Sequence, residues 1–154
     1  MIHHPVFSGL TQKEFETAIK YFEKKLFKPD EFIVKENENS DMAFLLLEGE
    51  VEVIKLTIYK DDYVIETIKA PSKNFFGEVN LIDKGAVTST IKTVTDTVIL
   101  YITHERFKTL TYSHPNIGVK MLWVIAEDLA RHLRKADQDI ITLFNAFIEM
   151  VEND

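Results

Sequence analysis

Three patterns of hydrophobic and polar positions follow one another along the 154 residues. Residues 1–28 suggest a loop and a helix, because apolar side chains recur at helical spacing after Thr11 and Glu14, which have the spacing of a capping box. Residues 29–102 alternate in short runs, which predicts strands. Residues 103–154 return to helical spacing. The apolar face of the first helix is predicted to comprise Phe15, Ala18, Ile19, Phe22 and Leu26.

The central region predicts a β-barrel or jelly roll. Short apolar or β-branched runs cover residues 43–47, 51–58, 63–68, 89–94 and 97–102. Polar turn residues separate them, as at Lys60-Asp61-Asp62 and Thr95-Asp96. Many short strands with regular turn signals are typical of barrels and jelly rolls. We therefore predict one mainly β domain that is flanked by helices.

The C-terminal region predicts a short helix capped by Thr103 and a long one that begins near Pro115. From Asn116 to about Glu152 there is no proline and only one glycine, so this helix can reach ~50 Å. Its apolar residues alternate spacings of four and three, a heptad seam. The seam comprises Leu122, Ala126, Leu129, Leu133, Ala136, Ile140, Leu143, Phe147 and Met150.

Two arrangements fit this seam: a helix packed on its own barrel, or a pair of helices in a homodimer. We predict the homodimer, because so small a barrel cannot cover the whole helix. Residues 140–148 are apolar on more than the seam, so we expect them to touch something besides a partner's matching stripe.

The composition argues against several classes of function. The net charge of −7 repels nucleic acid and acidic membranes, and there are no cysteines for disulfides or thiolate sites. No apolar run reaches the length of a bilayer span, and the N-terminus lacks the pattern of a signal peptide. We expect a cytoplasmic protein that binds neither nucleic acid nor membrane.

Catalytic chemistry finds little support in the sequence. A barrel metal site of the cupin type needs a His-x-His pair on strands, whereas every histidine lies outside the predicted strands, and we expect His3 and His4 to be solvated. Asp61 and Asp62 fall in a hairpin turn, where carboxylates are solvated. We predict that the protein is not an enzyme.

Residues 74–93 carry the most specific signal. Phe76-Gly77-Glu78 opens a short apolar turn of helix from Val79, a loop follows, and a strand then begins at Ser89. A glycine lets backbone N–H groups approach an anion, and a helix N-terminus attracts phosphate. This order resembles the phosphate-binding cassette of cyclic nucleotide-binding domains. The resemblance implies a cyclic nucleotide or another small anion as ligand, with Glu78 accepting a hydrogen bond from the ribose 2′-hydroxyl.

One residue of the cassette departs from the family. The family's arginine, which forms paired hydrogen bonds with the cyclic phosphate, aligns with Val87, and Thr88 follows at the small-residue position. A shift of one place puts Thr88 at the arginine position with Ser89 next, so neither register supplies an arginine. Lys84 and Lys92 are the nearby cations that could restore some charge.

The resemblance extends over nearly the whole chain. Residues 4–11 resemble the family's lead-in, residues 31–36 and 45–53 its first barrel strands, and residues 114–117 the entry to the C-helix that dimerises bacterial regulators related to the catabolite activator protein. The family often has glycine where Asp30 and Asn37 stand here. No helix-turn-helix follows before Asp154, so we expect a stand-alone domain and not a DNA-binding regulator.

Two functions from different classes remain. The first is a sensor whose C-terminal helix moves when a small anionic ligand enters the barrel. The second is a dimeric interaction module that has lost its ligand and acts through a partner protein. Val87 favours the second for cyclic nucleotides, whereas Gly77, Glu78 and Thr88 favour the first.

Overall fold

The computed structural model describes all residues, 1–154. The helices are α1 Gln12–Ala18, α2 Glu78–Asp83, α3 His104–Ser113 and α4 Pro115–Glu152. The strands are β1 Glu23–Phe27, β2 Phe32–Val34, β3 Met42–Glu48, β4 Glu50–Leu56, β5 Asp62–Lys69, β6 Phe75–Phe76, β7 Thr90–Thr93 and β8 Thr97–Thr103. Short 3-10 turns at Pro5–Phe7 and Ile19–Tyr21 flank α1.

The strands form two antiparallel sheets in the order β1-β8-β3-β6 and β2-β7-β4-β5. The sheets face each other as a jelly roll, so the predicted mainly β fold is confirmed. Buried side chains such as Phe44, Val51 and Ile99 fill the space between the sheets. A larger cluster lies between one sheet and the helices, and it includes Phe15, Leu100, Leu110 and Met121.

The N-terminal helix begins as predicted but ends early. Thr11 accepts a hydrogen bond from the N–H of Glu14 at 3.2 Å, and the Glu14 carboxylate accepts one from the N–H of Thr11 at 2.9 Å, which completes the capping box. The expected helical position of Leu26 is wrong, because β1 pairs with β8 from Glu23 onward and leaves the Leu26 side chain 75% exposed. The helical spacing of apolar residues in the sequence extends into β1, which is an edge strand with one face exposed to solvent.

Two of the turns place a residue other than glycine in the left-handed backbone region. Asp30 has φ 64° and Asn37 has φ 69°. Aspartate and asparagine tolerate this region better than other residues with a Cβ, because their short side chains can hydrogen-bond the local backbone. The departure from glycine at these positions therefore preserves the turns.

Helix α4 is anchored to the barrel only by its first third. Its 38 residues span about 57 Å at ~1.5 Å per residue. The buried positions are Ile117, Gly118, Met121 and Ile125, and no residue beyond Ile125 is buried. No helix of the structure is both long and apolar enough to cross a membrane.

Candidate ligand-binding cavity

A cavity of about 520 Å³ opens between the inner faces of the two sheets and the middle of α4. Its apolar wall comes from strand residues that point inward, among them Ile68 and Ile91. Phe44 and Phe76 stack within this wall with ring centroids 4.9 Å apart and planes 11° from parallel. The alternation of side chains along each strand places Phe44 and Phe76 on the inner face of one sheet and Ile68 and Ile91 on the inner face of the other.

The cassette backbone requires glycine at position 77. Gly77 has φ 78°, and a Cβ there would lie 2.6 Å from the carbonyl oxygen of Met42. Its carbonyl oxygen accepts a hydrogen bond from the N–H of Leu81 at 2.9 Å, which starts α2. The turn therefore brings the first residue of α2, Glu78, to the cavity wall.

Glu78 is a buried carboxylate, with 7% of the residue exposed. Its Oε1 lies 2.8 Å from Nδ1 of His132 on α4. A buried charge is costly unless it is paired, so this contact satisfies the group that the resemblance assigns to ribose recognition. Asn80, two residues further, donates from Nδ2 to the carbonyl oxygen of Gly85 at 2.8 Å and holds the cassette loop closed.

Val87 stands in the cavity wall, 6% exposed. Its N–H donates to the carbonyl oxygen of Glu38, and its carbonyl oxygen accepts from the N–H of Asn37, both at 2.8 Å. The neighbouring Thr88 and Ser89 also line the cavity. The loop therefore presents an apolar side chain and two hydroxyl residues, and no cation.

The cations proposed from sequence lie elsewhere. Lys84 and Lys92 do not line the cavity; Lys92 instead approaches Asp30 at 3.7 Å. Lys55 donates to the carbonyl oxygen of Thr88 and lies 3.8 Å from Glu36. The side chains of Lys92 and Lys55 are thus engaged outside the cavity.

The cavity's charged residues come mainly from elements that the sequence did not connect with it. Helix α4 contributes Asp128, Arg131 and His132, while Lys73 and Glu66 come from the loop before the cassette and from β5. Arg131 forms an ion pair with Asp128 one turn earlier on the same helix. Three basic groups thus face three carboxylates, counting Glu78. The spacing of residues 128, 131 and 132 places them on one face of the helix. That this face contacts the barrel becomes visible only from the way α4 packs in the structure.

Most of the predicted cassette residues gather at the cavity: Phe76, Gly77, Glu78, Val87, Thr88 and Ser89. Val79 is separate, because its side chain is 44% exposed and does not line the cavity. Any role for Val79 rests on its backbone amide and stays a prediction.

The predicted heptad seam lies largely in water in the single chain. Leu129 packs partly against the core of its own barrel. Leu133, Ile140, Leu143 and Phe147 are each more than 60% exposed. Leu122 is 39% exposed, and Ala126 and Ala136 are exposed as well.

His4 is buried, so the expectation that it is solvated is wrong. Its Nδ1 accepts a hydrogen bond from the N–H of Val6, and its Nε2 lies 3.2 Å from the carbonyl oxygen of Asn74, a cavity residue. Burial lowers the pKa of His4 below its usual value of 6.5. The neutral ring thereby ties the N-terminal segment to the loop that leads into the cassette.

Comparison with known proteins agrees with this geometry. The sequence model of the cyclic nucleotide-binding domain matches residues 24–114. The cyclic AMP receptor protein of Thermus thermophilus is 26% identical over 136 residues, which are 88% of this chain and 60% of that protein. The crystal structure of the catabolite activator protein from T. thermophilus superposes with a TM-score of 0.80 and 25% identity, over 90% of this chain and 62% of that one.

A eukaryotic relative matches over a similar length. The cGMP-dependent protein kinase of Eimeria tenella is 28% identical over 142 residues, which are 89% of this chain and 13% of the kinase. The chain thus spans about 60% of the bacterial relative and a much smaller part of the kinase.

Proposed function

The chain belongs to the cyclic nucleotide-binding domain family, and we propose that it is a regulatory sensor domain that dimerises through α4 and has weak or lost affinity for cyclic nucleotides. The observation that carries the second part is Val87, whose side chain stands in the cavity wall where the family's arginine is expected. The remaining predictions accompany this proposal: no enzymatic activity, a cytoplasmic location and no binding of nucleic acid.

The missing arginine sets the expected loss of affinity. Charge-assisted hydrogen bonds contribute roughly 1.5–3 kcal/mol, so their removal lowers affinity about tenfold to a hundredfold. Two of the three basic groups of the cavity compensate poorly, because Arg131 already pairs with Asp128 and His132 with Glu78. A cyclic phosphate that engaged Arg131 or His132 would have to break the corresponding pair, which leaves Lys73 as the cavity cation outside any ion pair.

The first experiment is calorimetry with cyclic AMP and cyclic GMP on the wild-type chain and on Val87→Arg. We expect dissociation constants on the order of tens of micromolar or poorer for wild type, and clearly tighter binding for the arginine variant. Val87→Met is the matched control, because it lengthens the side chain without adding charge. Nanomolar binding by wild type would overturn the proposal.

The dimer part rests on the exposed seam. From Leu133 to Met150, apolar side chains recur at heptad spacing along about 25 Å of helix and are largely exposed in the single chain. An exposed apolar stripe of this length usually marks an interface. A second copy of α4 in parallel would bury it and would place two cavities side by side, in keeping with the two-fold symmetry of most homodimers.

Light scattering at micromolar concentration tests the dimer. Because Leu129 packs partly on its own barrel, the clean disruption is the double variant Leu133→Asp, Ile140→Asp, which we expect to be a folded monomer. Arg134→Asp, Gln138→Asp is the matched control, since both residues lie off the seam, and it should stay dimeric. A monomeric wild-type chain would refute this part of the proposal.

The alternative is a dimeric interaction module without a ligand. Glu78 supports it, because this carboxylate is already engaged by His132. The two functions separate in the same calorimetry: a Val87→Arg variant that stays folded and still binds no cyclic nucleotide favours the interaction module.

A further inference from the structure

Helix α4 and the cassette are joined by a single polar contact, between His132 Nδ1 and Glu78 Oε1 at 2.8 Å. No other hydrogen bond or ion pair links the two elements; Lys120, the other α4 residue that reaches a different element, pairs with Glu14 on α1. The contact therefore lies where the cavity wall meets the helix that carries the proposed dimer seam.

We propose that His132 is a latch that holds α4 against the cavity until a ligand takes its place on Glu78. A ligand that donates a hydroxyl or amino hydrogen to Glu78 must displace the imidazole, and α4 loses its polar attachment to the cassette at that moment. The ligand half of this inference rests on the proposed function. The latch itself is a property of the free chain.

The two partners differ in how firmly they are held. Glu78 is buried and fixed at the start of α2, whereas the His132 side chain is 65% exposed. His132 also lies about two helical turns beyond Ile125, the last buried residue of α4. Loss of the contact therefore leaves the exposed part of α4 without an attachment to the cassette, while the buried anchor stays in place.

Glu78 is the one cavity carboxylate that His132 contacts. The other charged groups that line the cavity are Lys73, Glu66, Asp128 and Arg131. Asp128 is engaged by Arg131 and is not bonded to His132. The latch therefore has a single polar partner on the cassette.

The test measures amide hydrogen exchange by mass spectrometry in residues 126–136 and 77–84, without any ligand. Wild type is compared with Glu78→Gln, His132→Gln and the double variant near pH 6, with light scattering to verify an unchanged oligomeric state. We expect each single variant to exchange severalfold faster in both segments and the double variant to be no faster than either. Arg134→Gln, which removes a cation from the exposed side of the same helix, should match wild type.

A further variant separates charge from shape. His132→Arg places a permanent cation with hydrogen-bond donors opposite Glu78, so it should retain slow exchange in both segments. Exchange unchanged in both single variants, or strictly additive effects in the double variant, would overturn the latch. Because no ligand is used, these outcomes are independent of calorimetry with cyclic nucleotides, which decides the proposed function.

Discussion

The cavity has two kinds of wall, the cassette and helix α4, and they are held in opposite ways. The cassette is fixed by backbone hydrogen bonds, with Val87 bonded on both sides and Gly77 in a conformation that a Cβ would obstruct. Helix α4 reaches the cavity through three charged side chains, Asp128, Arg131 and His132, beyond its last buried residue.

This difference suggests that the cassette shapes the ligand site and that α4 transmits the effect of a ligand. The rigid wall retains the shape of an anion-binding cassette without its arginine, whereas α4 contributes three of the six ionisable side chains that line the cavity. A ligand that engages those side chains would act directly on the helix that bears the proposed dimer seam.

The largest expected effect comes from the anchor of the movable wall. Ile125 is 1% exposed, and Ile125→Ala should lower the free energy of unfolding by ~2–5 kcal/mol, because it removes buried methyl groups and leaves a cavity. Ile140→Ala makes the same chemical change at a side chain that is 63% exposed. Urea denaturation at several protein concentrations should show a concentration-independent loss for the first variant and only weakened association for the second. Equal losses would mean that α4 is anchored along its whole length.

A single added methyl group in the cassette should lower the free energy of unfolding strongly. Gly77→Ala places a Cβ against the Met42 carbonyl at a positive φ, and we expect a loss of roughly 2–4 kcal/mol in the free energy of unfolding. Gly9→Ala is the control, since the nearest atom to its Cβ would lie at an ordinary 3.7 Å. Thermal or urea unfolding measures both. A Gly77→Ala variant as stable as the control would show that the cassette backbone can yield.

The sequence predicted the rigid wall better than the movable one. Phe76-Gly77-Glu78 is a local motif whose geometry depends on neighbours in the chain, and its place at the cavity could be predicted because it resembles the phosphate-binding cassette. The strand alternation likewise specified the barrel. The C-terminal helix was also predictable, because Pro115 marks its start and no later proline interrupts it.

What the sequence could not show were pairings between distant segments. The contact of His132 with Glu78 joins residues 54 positions apart, and it depends on how α4 docks on the barrel. Burial of His4 similarly depends on a loop 70 positions away. The end of the first helix was missed because Leu26 continues a helical pattern while its backbone pairs with β8. At Leu26, tertiary pairing overrides the local periodicity.

The smallest expected effect concerns pH, and it acts on the N-terminal segment that contacts the loop leading into the cassette. Burial lowers the pKa of His4, so below about pH 6.5 the unfolded chain binds a proton more readily than the folded one. Stability contributed by neutral His4 is therefore lost as pH falls, since protonation removes the acceptor for the Val6 N–H and charges a buried ring.

Unfolding free energies at about pH 7.5 and about pH 5.5 resolve the His4 contribution. Wild type should lose more stability between these values than His4→Gln, whose neutral amide can still donate to the Asn74 carbonyl. His3→Gln is the matched control, because His3 is the adjacent residue and is exposed; it should follow wild type. An identical pH response in the two variants would show that the lead-in to the cassette is insensitive to protonation.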